Sequence, residues 1–245
     1  MSKYKLIALD LDGSLLQDNL EISPVNRHWI KRAEAAGIVV SFATGRGRSS
    51  SEQYWDVVKP TAPMVVVNGA EVWRNHEELL SRHFLPPNSI PRLHHLALKH
   101  NTWYWAHAPG RLVRKEGWDT NYDPNGDWLK FGMASEERAI IDHLRELIES
   151  WDEFEVTSSS PTNLEISKKG VSKASGLAEV AEVLGIGPSE VVVMGDSLND
   201  LEMIKWAGFG VAMGNAEASI KAVADHVTGT NEEDGVAQVI QLILE

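Results

Sequence analysis

The chain has 245 residues, enough for one large domain or two smaller ones, with hydrophobic (43%) and charged (24%) fractions ordinary for a soluble globular protein. It contains no cysteine, which excludes disulfides, thiol chemistry and zinc–thiolate clusters. A formal net charge of −12 argues against nucleic acid as a partner, and no stretch approaches transmembrane length, so no membrane partner is expected. The chain enters a strand directly rather than a signal sequence, so a cytoplasmic location is expected.

The first element is an apolar run over residues 4–10 that ends in Asp10-Leu11-Asp12-Gly13-Ser14. A run this continuous predicts a central parallel strand covered on both faces. Ligands gather outside the carboxyl ends of such strands, and alternation returns Asp12 to the side of Asp10. Paired carboxylates there suit Mg²⁺ and a nucleophile with an acid/base partner, although a solvated turn would use the same residues. Ser23-Pro24 reads as a helix cap followed by proline in the first turn, and Gly37 as the helix end. A second strand, 37–43, ends at Thr44-Gly45-Arg46-Gly47, where a hydroxyl, a close-approaching backbone and a guanidinium can hold phosphate oxygens. Arg46 also fits a surface arginine. The dinucleotide fingerprint fails, because Ser50 stands at its third glycine.

A third strand, 63–68, precedes a stretch of different character, roughly 83–165, opened by Pro86-Pro87-Asn88. Here a helix through Ile90, Leu93, Leu96 and Ala97 leads to strands at 102–107 and 111–115, a helix capped by Ser135, and strands at 154–157 and 163–166. Five of the nine tryptophans lie in it. Trp103 and Trp105 share a strand face and read as core packing, with stacking on a substrate as the alternative. The loop Trp118-Asp119-Thr120-Asn121-Tyr122-Asp123 is the candidate for substrate contact. Residues 123–127 resemble the start of a calcium loop, but Trp128 and Ala134 stand where glycine and glutamate are required, so a turn is expected. His94, His95, His100 and His107 lack a ligand pair at helical spacing.

Beyond it, Lys173 opens an amphipathic helix through Leu177, Val180, Ala181 and Leu184. A lysine at the positive end of a helix asks for an anionic partner, although a solvated lysine is the common case. The strand 190–195 then ends in Asp196, with Asn199 and Asp200 flanking a helix start, and a last strand follows at 208–213. Two strand ends of this chemistry together point to a metal and phosphate site. The alternation of strands and helices predicts an α/β fold with a doubly wound, Rossmann-like parallel sheet.

In this order, Asp10–Ser14, Thr44-Gly45-Arg46, Lys173 and Gly195–Asp200 resemble the four motifs of the haloacid dehalogenase superfamily. Val67-Asn68-Gly69-Ala70, Val211–Ala216 and Asn231–Ala237 are similar to phrases of its Cof-like subgroup; the departure is Ala174 after the lysine, where glycine is usual. The resemblance implies a catalytic core over 1–82 and 167–245 with an inserted α+β cap over 83–166. It implies a Mg²⁺-dependent phosphatase acting on a small phosphorylated metabolite, with a sugar phosphate the expected class. Asp10 would be the nucleophile and Asp12 the acid/base, while Thr44, Gly45, Arg46, Lys173 and Asn199 would bind phosphate. The metal would take the Asp10 carboxylate, the Asp12 carbonyl and Asp196, with Asp200 acting through water or from behind the direct ligands. A phosphomutase or phosphotransferase, and a non-catalytic phospholigand sensor, are the alternatives.

Overall fold

The computed structural model describes residues 3–123 and 126–245. In chain order the elements are β1 (Leu6–Leu9), α1 (Pro24–Ala35), β2 (Val39–Phe42), α2 (Arg48–Val58), β3 (Met64–Val66), β4 (Glu71–Trp73), β5 (Leu79–Arg82), α3 (Ser89–Lys99), β6 (Trp103–Ala108), β7 (Arg111–Arg114) and α4 (Trp118–Asn121). They continue as β8 (Lys130–Ala134), α5 (Arg138–Glu149), β9 (Phe154–Thr157), β10 (Asn163–Lys168), α6 (Lys173–Leu184), β11 (Val191–Gly195), α7 (Leu201–Trp206), β12 (Phe209–Ala212), α8 (Ala218–Lys221), β13 (His226–Val227) and α9 (Gly235–Leu244).

The apolar runs at the two ends of the chain meet in one parallel sheet of order β13-β12-β11-β1-β2. Every residue of β1 and β11 is buried, as continuous Leu, Ile and Val runs require of strands covered on both faces. Each such side chain contributes roughly 1.5–3 kcal/mol by leaving water. The chain runs from β1 to β2 on one side and returns through β11 on the other, so β1 and β11 flank the topological switch point. Loops leaving their carboxyl ends therefore converge there. Helix α1 begins as expected: the Ser23 hydroxyl accepts the Asn26 N–H at 2.9 Å, and Pro24 occupies the first turn.

The strand expected at 63–68 is shorter and differently paired. It joins the parallel sheet only through a bridge between Ala43 and Val65, and otherwise pairs antiparallel with β4, which pairs with β5. Neither β4 nor β5 has an apolar rhythm that marks it in the sequence. What holds them together is a buried Glu71 that accepts from Arg82 at 2.7 Å and from the Trp73 indole at 3.0 Å.

Residues between β5 and α6 form a second, antiparallel sheet of order β7-β6-β8-β10-β9. One face is apolar: Tyr104, Ala106, Phe131, Met133, Leu164 and Ile166 pack beneath Ile90 and Leu93 of α3 and Ile141 and Leu144 of α5. The alternate residues, including Trp105, His107, Lys130, Gly132 and Glu165, take the other face. Helix α5 starts later than expected. Ser135 does accept the Glu137 N–H at 3.2 Å, but Glu137 takes the cap position and the helix begins at Arg138. The turn expected at 123–127 includes Pro124 and Asn125, which lie outside the described residues. Among the described residues no helix is long and apolar enough to cross a membrane.

Candidate active site

At the switch point, Asp10 is the first residue beyond β1 and its N–H is held by the Met194 carbonyl at 3.0 Å. Helix α6 is capped by Ser172, whose hydroxyl accepts the Ser175 N–H while the Ser175 hydroxyl accepts the Ser172 N–H. This cap fixes Lys173 in the first turn and aims its buried ammonium at the strand ends. It donates to Asp10 Oδ1 at 2.6 Å and to Asp200 Oδ1 at 2.7 Å. The other Asp200 oxygen accepts the N–H groups of Asp196 and Ser197 at 2.9 and 3.1 Å. Asp200 thus holds the lysine and shapes the loop after β11. The anionic partner that a lysine at a helix start asks for is this carboxylate pair.

Asp10, Asp196 and Asp200 each offer a carboxylate oxygen within 4.8 Å of the others. One ammonium faces three carboxylates, so negative charge is left over. Burial drives the Asp10 carboxyl well above its ordinary value, opposed by Lys173 and reinforced by Asp200 and Asp196. Burial and then Asp200 push Asp196 up to about 7. Hard oxygen donors with uncompensated charge, at the end of parallel strands, fit a divalent cation such as Mg²⁺. The Asp12 side chain does not join this trio. It accepts a bidentate pair of bonds from Nε and Nη2 of the Arg46 guanidinium, at 2.7 and 2.6 Å. Arg46, expected on a phosphate oxygen, therefore orients Asp12 here, and its other side lies over the Tyr54 ring at 5.1 Å.

Thr44, fully buried, accepts the Arg46 N–H at 3.1 Å and closes the turn after β2. A second turn, Val67–Gly69, braces it: the Val67 N–H bonds the Arg46 carbonyl at 2.8 Å and the Asn68 N–H bonds the Thr44 carbonyl at 3.0 Å. The brace is strained, since Val67 has φ +52°, a region that β-branched residues avoid. Gly69, at φ +93°, lets the turn sit against the start of α6, because a Cβ there would fall 2.1 Å from the Ser172 carbonyl. Asn68 and Asn199 meet through a 3.4 Å amide contact beside Gly45. Behind the first motif, Asn215 donates to the Gly13 carbonyl at 2.8 Å and Asn231 to the Leu16 carbonyl at 3.0 Å.

A cavity of about 350 Å³ opens over these residues, lined on one side by Asp10, Asp12, Gly45, Arg46, Ser197 and Asn199. Its other side is the polar face of the antiparallel sheet, including Trp105, His107, Arg114, Lys130, Ser159 and Glu165. Lys130 and Glu165 escaped the sequence reading. The Lys130 ammonium, nearly fully buried, donates to Glu165 at 3.0 Å and to the Gly45 carbonyl at 2.8 Å, so a side chain of the insert grips the loop after β2. Glu165 also accepts from Asn68 at 2.5 Å and Ser159 at 3.2 Å. Burial raises its carboxyl, but the Lys130 charge and the hydrogen bonds outweigh burial and hold it below the ordinary value. The signal was alternation: Lys130 stands between Leu129 and Phe131, and Glu165 between Leu164 and Ile166, each a charge inside an apolar strand. His107, on the same face, is buried. Burial, then Lys130 and Arg114, push its imidazole well down, leaving it neutral at pH 7.

Two readings of the insert need correction. Trp103 and Trp105 are outside the insert's hydrophobic cluster: Trp103 is 38% exposed and Trp105 faces the cavity. The alternate residues Tyr104 and Ala106 pack the core instead. Conversely, in the stretch 118–123, expected to contact substrate, Trp118 and Tyr122 pack with the insert's core rather than line the cavity, while the side chains of Thr120 and Asn121 lie outside the described residues. Trp118 is 2% exposed and stacks on Tyr122 and Trp128 within the insert's core.

The profile of the haloacid dehalogenase-like hydrolases matches residues 7–125 and 116–240. The chain is 42% identical over 237 residues to the 5-amino-6-(5-phospho-D-ribitylamino)uracil phosphatase YcsE of Bacillus subtilis, covering 97% of this chain and 94% of that one. It is 32% identical to YitU of the same organism, a phosphatase of the same name, over 98% and 97% of the two chains. A crystal structure of a haloacid dehalogenase-like hydrolase from Bacteroides thetaiotaomicron superposes with a TM-score of 0.81 at 31% identity, covering 98% of this chain and 99% of that one. The chain belongs to the haloacid dehalogenase-like hydrolase family, as a phosphatase of its Cof type.

Proposed function

We propose that the protein is a Mg²⁺-dependent phosphatase that hydrolyses a small phosphorylated metabolite through a phosphoryl group carried on Asp10. The observation that carries this reading is the Lys173 bridge between Asp10 and Asp200, with Asp196 beside it, where Asp10 lines a cavity whose other side is the insert sheet. Asp10 attacks phosphorus and the leaving oxygen departs with a proton from Asp12; Asp12 then takes a proton from the water that cleaves the aspartyl-phosphate. Arg46 orients the Asp12 carboxylate for taking the water's proton, and releases one Asp12 oxygen when that group carries the proton delivered to the leaving oxygen. Lys173, the Thr44 hydroxyl and the backbone of Gly45 receive phosphoryl oxygens, meeting charge where it spreads in the transition state. Asn199, fixed by Ser197 at 3.0 Å, faces the same group.

Asp10, Asp196 and the Asp12 carbonyl would hold Mg²⁺, with Asp200 behind them. The ion would supply positive charge to the phosphoryl oxygens and to a chain of net charge −12 that must bind an anion. The insert over 83–166 acts as the cap, closing water out and selecting the leaving group. Phosphorylated sugars and sugar alcohols are the proposed class, and the substrate named for YcsE and YitU is the first of them to test. The test is inorganic phosphate release over a panel of such esters, with Mg²⁺ and with chelator. Release that chelator abolishes supports the reading. Transfer to a hydroxyl without free phosphate, or release indifferent to chelator, contradicts it.

A further inference from the structure

We propose that the cavity face of the insert sheet is a stacking platform for a planar, carbonyl-bearing heteroaromatic ring at the far end of the leaving alcohol, with Trp105 under the ring and Arg114 donating to its oxygens. This rests on the phosphatase reading and names the part of the substrate that the core motifs do not touch.

The first support is how Trp105 lies. In register it stands opposite Gly132 of β8, and a Cβ on Gly132 would fall 2.1–2.6 Å from the indole atoms Cε2, Cζ2 and Cδ2. Only glycine lets the indole cover the neighbouring strand in this way. One ring face is spent on Gly132, while Trp105 still lines the cavity that holds Asp10 and Asp12. Trp103 buttresses it with centroids 5.2 Å apart, and Glu116 accepts the Trp103 indole N–H at 2.7 Å. The pair lies outside the insert's apolar cluster, and its inner member, Trp105, is the one that faces the cavity.

The second support is the polar inventory around the indole. A bare sugar is usually met by acceptors as well as donors. Here the three cavity carboxylates are already engaged, Asp10 by Lys173, Asp12 by Arg46 and Glu165 by Lys130, Asn68 and Ser159. Across from Trp105 in register stands Arg114, an exposed side chain with donors only. A π face beside a donor-only group matches a flat ring rich in carbonyl oxygens better than a chain of hydroxyls.

The experiment compares kcat/KM for phosphate release from 5-amino-6-(5-phospho-D-ribitylamino)uracil and from ribitol 5-phosphate, the same sugar-alcohol phosphate without the ring. Wild type, Trp105→Leu, Trp105→Phe and Gly132→Ala are assayed with Mg²⁺, with circular dichroism as the fold control. The ring is expected to raise kcat/KM at least about tenfold in wild type, and Trp105→Leu to shrink that ratio to within about threefold, chiefly through KM. Trp105→Phe should keep most of the ratio, and Gly132→Ala, which drives a methyl into the indole, should lose it. A wild-type ratio near one, or a Trp105→Leu ratio equal to wild type, overturns the platform and leaves the phosphatase reading standing. Wild type inert on both esters yet active on others of the panel would overturn the platform alone, and wild type inert on the whole panel would overturn the phosphatase reading and the platform with it.

Discussion

The two sides of the cavity obtain their side chains in opposite ways. The core side takes them from the ends of parallel strands and the starts of helices, where Asp10, Lys173, Asp196 and Asp200 crowd into a charge-dense, nearly buried cluster. The insert side takes most of them from one face of antiparallel strands, at alternate positions along their length, so its groups are spread over a sheet face. Convergence at strand ends suits a reaction that needs several charges within hydrogen-bond reach. A spread face suits recognition of whatever extends away from the phosphate. Lys130 joins the two, since it is rooted in the insert and bonds the Gly45 carbonyl of the core.

If that division holds, damage to the core side should remove chemistry for every substrate. Lys173→Met should be the severest change, cutting turnover by about 10³-fold or more. Because Asp10 and Asp200 then face each other unpaired, it should also cost about 3–5 kcal/mol of folding free energy in urea titrations. Turnover near wild type in this variant would break the comparison. Lys130→Met should cost about 3 kcal/mol by stranding the Glu165 carboxylate, and adding Glu165→Leu should recover part of that loss. Simple additivity of the two would remove the pair from the account. Arg46→Ala should lower kcat by about 10²-fold with little change in stability, because it releases a half-exposed Asp12 rather than a buried charge.

The smallest effect sharpens the insert side and concerns pH. Glu165 is held below its ordinary 4.5, so the pair's stabilisation is complete above that value and fades as pH falls through the lower native one. The stability gap between wild type and Glu165→Gln should therefore be flat from pH 7 to about 5 and narrow in more acid solution. A gap that widened on acidification would reverse the sign of the argument.

The same contrast explains what was legible in the sequence. Asp10, Asp12, Lys173 and Asp196 sit where apolar runs stop, and a stop is visible in one dimension. The parallel sheet was legible for the same reason, since runs such as Val191–Met194 admit one environment. The insert's working face was not, because a tryptophan inside a strand looks the same whether its face meets helices or a cavity. Trp105 was assigned to the core and Trp118 to the site, and the packing reverses both. Gly132 and Trp105, far apart in the chain, decide that orientation only once β6 and β8 are paired in register. Strands β4 and β5 were missed because a buried ion pair, not an apolar rhythm, holds them.

The central claim, that the strand-end cluster works through Asp10, is tested most directly by the rate of phosphate release from Asp10→Asn protein with Mg²⁺ present. The account predicts a folded protein whose rate falls by about 10⁴-fold or more on every ester that wild type hydrolyses. A rate within about tenfold of wild type would contradict it, because no other carboxylate of the cluster is placed to take over that role.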